Sequence, residues 1–340
     1  MEKAVDFSSS INPLGMPEEA VSAAGGAIKY ANIYPDTDCL RLCSVLAGYE
    51  DVPAADILCG NGASDIIFRL AYARKPGKIL VTAPAFSDYE RAGKAAGAEV
   101  MYYTLKRENG FGIKEDILSI IRNNSPDLVF ICNPNNPTGN MTSMDMMVRI
   151  AKACSSVRAL LVADECFLDF VASAGDFSVK PLLRGYKNII LVKAFTKVFA
   201  MPGLRLGYAI CADTDLLTQM RRSGPDWAAS NIAQEAGIAA LKNGKAFVEK
   251  TCRFVQGERE FLFSGLGELG MTVYPSQANY IFFHCPWDKS LSEKLYDKDI
   301  LIRDCSNFRG LSSGHYRVAV STRDKNEMLI AAIKSTAGNN

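Results

Sequence analysis

The stretch NIILVKAFTKVFAMPGLRLGYAICA, from Asn188 to Ala212, decides how the chain is read. It opens on a short apolar run, Ile189 to Val192, rich in β-branched residues, which predicts a buried strand. It closes on a second such run, Leu206 to Cys211. Between them Pro202 and Gly203 mark a turn, and two cations, Lys197 and Arg205, stand beside the apolar sequence. These charges have two readings. They are the solvated charges of an ordinary helix cap, or Lys197 faces a site where a desolvated amine becomes a nucleophile.

Outward from this stretch the same texture repeats. DILCGNGASDIIFRLAYARK (Asp56–Lys75) reads as strand, Gly-rich turn and helix. KILVTAPAF (Lys78–Phe86), PDLVFICNPNNPTG (Pro126–Gly139) and RALLVADECFLDF (Arg158–Phe170) are further apolar strands ending in turn clusters. Short apolar strands alternating with helices predict an α/β fold with a mostly parallel, doubly wound sheet. From about residue 221 a long helical stretch, Asn231–Leu269, is followed by strand-like MTVYPSQANYIFFHC and YRVAVST. This predicts three parts: an N-terminal arm over 1–29, a large domain over 30–220 and a smaller α+β domain over 221–340.

Composition narrows the function classes. With a net charge of +1 among 340 residues there is no broad basic face for nucleic acid. No apolar run is long enough for a bilayer, and no signal peptide follows Met1. The ten cysteines are scattered without a CxxC pair, so no metal ribbon or disulfide framework is expected. A soluble, cytoplasmic protein follows.

In an open α/β sheet ligands bind beyond the carboxyl ends of the strands, and four clusters fall there. CGNGASD (Cys59–Asp65) offers helix N-terminal amides as an anion cup, or is a plain strand-to-helix turn. NPNNPTG (Asn133–Gly139) is a rigid turn that can hold the Asn136 amide in place. Asp164 follows an apolar strand, where a carboxylate needs a cationic or hydrogen-bonding partner. Lys197 and Arg205 form the fourth. Jointly these are the groups pyridoxal 5'-phosphate requires: a lysine for covalent attachment, an acid for its ring nitrogen, a donor for its ring oxygen, and a cup with an arginine for its phosphate.

In that order along the chain, YPD at Tyr34, NPNNPTG, DE at Asp164 and TKVFAMPGLRLGY resemble the fold-type I pyridoxal-phosphate enzymes of the aminotransferase class I and II superfamily, in the histidinol-phosphate aminotransferase branch. The resemblance spans nearly the whole chain. It implies that Lys197 carries the cofactor and shuttles protons, that Asp164 faces the ring nitrogen, and that Asn136 meets the ring oxygen. It further implies that Gly62, Ala63, Ser64, Thr196 and Arg205 hold the phosphate, and that Phe86 stacks on the ring. Tyr34 would reach the partner's cofactor in a homodimer, and Pro137 would follow a cis bond. One departure stands out: DECF replaces the DEAY usual in this branch, so Phe167 stands where a tyrosine donates to the ring oxygen.

DFSSSINPLGMP and LIRDCSNFRGLSSGHYRVAV are similar to the threonine-phosphate decarboxylase subgroup. The substrate implied is a small phosphorylated amino acid, L-threonine O-3-phosphate, in cobalamin side-chain synthesis. Arg303 and Arg317, flanking the SNFRGL turn, are the candidate anion anchors, or else pair with the chain's acids. Asn12 and Gly15, with Ser8 and Ser9, are candidate substrate contacts on the arm, and Arg309 reads as solvated. A histidinol-phosphate-type aminotransferase using 2-oxoglutarate is the alternative, and a non-catalytic sensor domain that binds pyridoxal phosphate is the alternative of another class.

Overall fold

A computed structural model describes residues 4–337. Its first half runs β1 (Val5–Asp6), α1 (Glu18–Ala27), α2 (Leu40–Glu50), β2 (Ile57–Gly60), α3 (Gly62–Arg74), β3 (Lys78–Ala83), α4 (Ser87–Ala95), β4 (Glu99–Thr104), α5 (Asp116–Asn124) and β5 (Leu128–Cys132). There follow α6 (Met144–Ser156), β6 (Leu160–Asp164), β7 (Ile189–Ala194), α7 (Phe195–Val198), β8 (Gly207–Ile210) and α8 (Thr214–Arg222). The remainder is α9 (Asn231–Lys242), α10 (Gly244–Glu268), β9 (Thr272–Val273), β10 (Tyr280–His284), α11 (Leu291–Tyr296), β11 (Ile300–Leu301), β12 (Arg303–Asp304), β13 (His315–Ala319) and α12 (Arg323–Ala337).

Seven strands form one sheet in the order β2-β8-β7-β6-β5-β3-β4. Its pairings are parallel except at β8, which runs antiparallel to both neighbours. The α/β class with a mostly parallel sheet is therefore as read. Strands β5, β6 and β7 are buried along their whole length, as their unbroken apolar sequences require of a sheet covered on both faces. Beyond β7 the chain makes only one helical turn, α7, before the Pro202-Gly203 turn sends it back as β8. Lys197 sits in that turn of helix.

The second sheet has four strands in the order β12-β13-β10-β9, all antiparallel. Arg303 of β12 lies directly opposite Arg317 of β13, and directly opposed residues share a face. The stretch Asn231–Leu269, expected as one helical run, is two helices broken at Asn243, where the Asn-Gly step interrupts the pattern. The N-terminal arm is tied to the C-terminal third: β1 pairs parallel with β11, matching Val5 with Ile300.

Candidate active site

Beyond the carboxyl ends of β3, β5, β6 and β7 lies a cavity of about 990 Å³. Ala63, Ser64, Phe86, Asn136, Asp164, Thr196, Lys197, Arg205, Arg303 and Arg317 all line it. Residues scattered from 63 to 317 thus face one space.

Asp164 ends β6 and is buried. Its carboxylate accepts from the Tyr89 hydroxyl at 2.6 Å and from the Cys166 amide at 3.0 Å. Tyr89 went unnoticed in the sequence. It lies three residues past Phe86, in the first turn of α4, fully buried and stacked on Phe130 at 5.0 Å. The signal for it was weak: one aromatic among helix residues.

Lys197 is deeply buried, and its amine is pushed down to about 8, first by loss of solvent and then by the charge of Arg317. Arg205 pushes in the same direction, whereas Cys166 and Asp164 oppose it. Its Nζ stands 5.7 Å from the centre of the Phe167 ring. An amine held near neutrality is a usable nucleophile and proton carrier.

The turn expected to form the anion cup is built by close approach. Gly62 opens α3 with φ +80°, and a Cβ there would lie 2.7 Å from Nη2 of Arg205. A Cβ on Gly207 would meet the Gly62 carbonyl carbon at 2.6 Å and the Ala63 nitrogen at 2.7 Å. These two glycines let the Arg205 guanidinium and the β8 backbone settle against the free amides of the helix start. Gly62 itself does not line the cavity.

Asn136 is buried beside a cis bond to Pro137. Its Oδ1 accepts from Nη1 of Arg317, which leaves Nδ2 uncommitted among the described residues. Arg317 is buried and also donates from Nη2 to the Ser8 carbonyl at 2.8 Å. Arg303 donates to Asn307 at 2.9 Å and stacks on Phe308. Among the described residues neither of these arginines, nor Arg205, has a carboxylate within 4.0 Å, so pairing with the chain's own acids is not their role here.

Among the described residues that line this cavity, three have a buried polar atom with no partner: Nε of Arg317, Oγ of Ser10 and Oγ1 of Thr82. Native proteins rarely orphan such groups unless a ligand or ion satisfies them. The residues present fit an anionic, ring-bearing ligand.

Some expected residues are elsewhere. Asn12 does not line the cavity; its amide donates to the Val198 carbonyl at 2.6 Å and to Thr251 Oγ1 at 2.9 Å. It anchors the arm beneath α7 rather than meeting a substrate. Gly15, at φ +75°, only closes the following turn by donating to the Asn12 carbonyl. Tyr34 is 76% exposed and stacks on Trp227 at 4.4 Å, outside the cavity of its own chain. Arg309, read as solvated, is half-exposed but lines the cavity, 3.5 Å from Glu90. The imidazoles, His284 and His315, lie side by side in the small sheet at 4.7 Å and take no part in the site.

A profile of the class I and II aminotransferases matches residues 2–333. The chain is 36% identical over 338 residues to the threonine-phosphate decarboxylase of Salmonella typhimurium, covering 98% of this chain and 91% of that one. It is 30% identical over 327 residues to a histidinol-phosphate aminotransferase of Caldanaerobacter subterraneus, covering 95% and 90%. The crystal structure of the histidinol-phosphate aminotransferase from Clostridium acetobutylicum superposes with a TM-score of 0.91 at 30% identity, covering 99% of this chain and 100% of the other. With the lysine, the acid and the anion cup gathered in one cavity and these matches spanning the whole fold, the chain belongs to the class I and II aminotransferase family.

Proposed function

We propose that this chain is a pyridoxal-phosphate-dependent decarboxylase of L-threonine O-3-phosphate, working as a cytoplasmic homodimer. The observation that carries this reading is the charge inventory of the cavity. One arginine, Arg205, sits at the helix start where a cofactor phosphate fits. Two more, Arg303 and Arg317, stand side by side on the other sheet with no carboxylate within 4.0 Å among the described residues. A substrate bearing several anionic groups supplies the missing charge. The 36% identity to a threonine-phosphate decarboxylase along the whole chain supports the same choice.

When bound, the cofactor supplies an electron sink for the pair left on Cα as carbon dioxide departs. Asp164, with Tyr89 donating to it, would hold the ring nitrogen, and Asn136 would offer Nδ2 to the ring oxygen. Arg303 and Arg317 would hold the substrate's anions, and their placement would thereby fix the orientation of the groups on Cα. Ser8 to Ile11 cover one side of the cavity, fixed there by the bond from Arg317 to the Ser8 carbonyl, and keep water out. The Lys197 side chain, held at about 8 and so largely an ammonium at pH 7, would give up from that ammonium the proton that replaces the carboxylate at Cα. Phe167 offers no hydroxyl, so Asn136 alone of this pair serves the ring oxygen.

Support for the homodimer comes from exposed apolar side chains between residues 21 and 40, Val21, Ile28, Ile33, Tyr34 and Leu40 among them, with Trp227 stacked on Tyr34. Exposed apolar side chains of this kind mark interaction surfaces, and Tyr34, exposed there, would reach the partner's site. The cytoplasmic assignment rests on ten buried free thiols. No helix among the described residues is long and apolar enough to cross a membrane.

Incubation with L-threonine O-3-phosphate should release carbon dioxide and 1-aminopropan-2-yl phosphate without consuming 2-oxoglutarate. The 30% identity to a histidinol-phosphate aminotransferase favours a second reading, in which glutamate forms from 2-oxoglutarate and histidinol phosphate instead. The first assay separates the two. Tyr89→Phe is expected to weaken cofactor affinity about ten- to a hundredfold, because a hydrogen bond to a buried carboxylate is lost. Equilibrium dialysis measures it; unchanged affinity would remove Tyr89 from the site.

A further inference from the structure

Four arginines line the cavity, and one differs from the rest. Among the described residues Arg205, Arg303 and Arg317 have no carboxylate within 4.0 Å, but Arg309 has Glu90, Nη2 to Oε1 at 3.5 Å. Arg309 belongs to the loop between β12 and β13 and Glu90 to α4, so the contact joins a loop of the four-stranded sheet to a helix of the large sheet at the cavity wall. We infer that Arg309 is a reserve anion anchor: it exchanges Glu90 for the phosphoryl group of the incoming substrate, and Glu90 makes that exchange selective for a dianion. This rests on the proposed phosphorylated amino acid substrate.

The grip on Arg309 is loose at its tip and firm at its base. Its guanidinium lies over the Tyr102 ring at 3.9 Å, a contact that occupies the flat face and leaves the N–H donors unused. Among the described residues it makes no hydrogen bond within the usual limits, and its side chain is 55% exposed. The next residue, Gly310, has φ +84°, and a Cβ built on it would lie 3.8 Å from the Ala83 carbonyl and 3.9 Å from Thr104 Cγ2. The loop is thus seated on the ends of β3 and β4, while the charged end pivots on Tyr102.

Glu90 is prepared to lose this partner. Lys94, one helical turn along α4, donates to the same Oε1 at 2.5 Å. When Arg309 leaves, the carboxylate keeps a cation. An exposed ion pair is weak, so the exchange costs little. Against a monoanion, Glu90 competes on equal terms and Arg309 stays. A doubly charged phosphoryl group, taken by the guanidinium fork, outbids it. An acidic side chain in an anion-binding cavity otherwise works against binding, and this role accounts for its presence by discrimination rather than attraction.

The test is calorimetric titration of the cofactor-loaded protein with O-phospho-L-threonine, L-threonine and L-glutamate. Arg309→Gln should weaken phosphothreonine about tenfold and leave threonine unchanged, as loss of one charge-assisted contact predicts. Glu90→Gln should act in the opposite direction, tightening phosphothreonine several-fold and improving L-glutamate, whose side chain is a monoanion. If the two variants weaken phosphothreonine alike, the pair is a structural clasp and the inference fails. It fails also if wild type binds phosphothreonine no more tightly than threonine. Carbon dioxide release is no part of this readout: opposite signs in the two variants without decarboxylation sustain the anchor and refute the decarboxylase.

Discussion

Lys197→Ala should lower turnover of threonine phosphate by roughly four orders of magnitude, the upper range for loss of a proton-transfer group. The fold should persist, because nothing in the sheet depends on the amine. A less obvious result accompanies it. Burial holds the Lys197 amine at about 8, against 10.5 when exposed. Between these values the unfolded chain carries a proton that the folded, cofactor-free chain does not, so stability rises with pH across that window. Below pH 8 both states are protonated and the folded state bears the whole cost of a buried ammonium. The isosteric Lys197→Met variant, free of cofactor, should therefore be more stable than wild type at pH 7 by about 3 kcal/mol, with the gap closing above pH 10.5. Denaturant unfolding at several pH values measures this. A variant less stable than wild type at pH 7 would show that the amine is solvated, and near-normal turnover in Lys197→Ala would refute the site.

Arg317→Ala carries the second large effect. The guanidinium is buried, donates to Asn136 and Ser8, and leaves Nε without a partner among the described residues. Truncating one member of a buried, hydrogen-bonded charge pair costs about 2–5 kcal/mol, so kcat/KM for threonine phosphate should fall by about two to three orders of magnitude. Cofactor affinity should fall far less, since Asp164 and the Arg205 cup are untouched. Arg317→Lys should recover part of the loss, keeping the charge without the fork. Equal losses of substrate and cofactor binding would assign Arg317 to structure alone.

Where the sequence punctuates itself, the site was legible. Apolar runs followed by Gly, Pro and Asn clusters placed the carboxyl ends of β2, β5, β6 and β7, and with them Ala63, Asn136, Asp164 and Lys197, which face one cavity. What stayed hidden is long-range. Asn12 looked like an arm residue free to close over a ligand, but its partners Val198 and Thr251 are 186 and 239 residues away. Arg309 sits in a polar turn, where solvation is the ordinary expectation; only the folding of that turn onto β3 and β4 brings it to Glu90 and Tyr102. The reversal of β8 was equally unmarked, because an apolar run reads alike in either direction.

The pairing of Val5 with Ile300 orders events during synthesis. Ser8 to Ile11, which wall the cavity, are made well before β11, and β1 just ahead of them has no strand to join until β11 emerges. The seven-stranded sheet can assemble meanwhile, yet the pocket stays open on one side. A product that stopped short of β11 would lack the partner of β1 and also Arg303 and Arg317, so the wall and the anion anchors of the pocket arrive together.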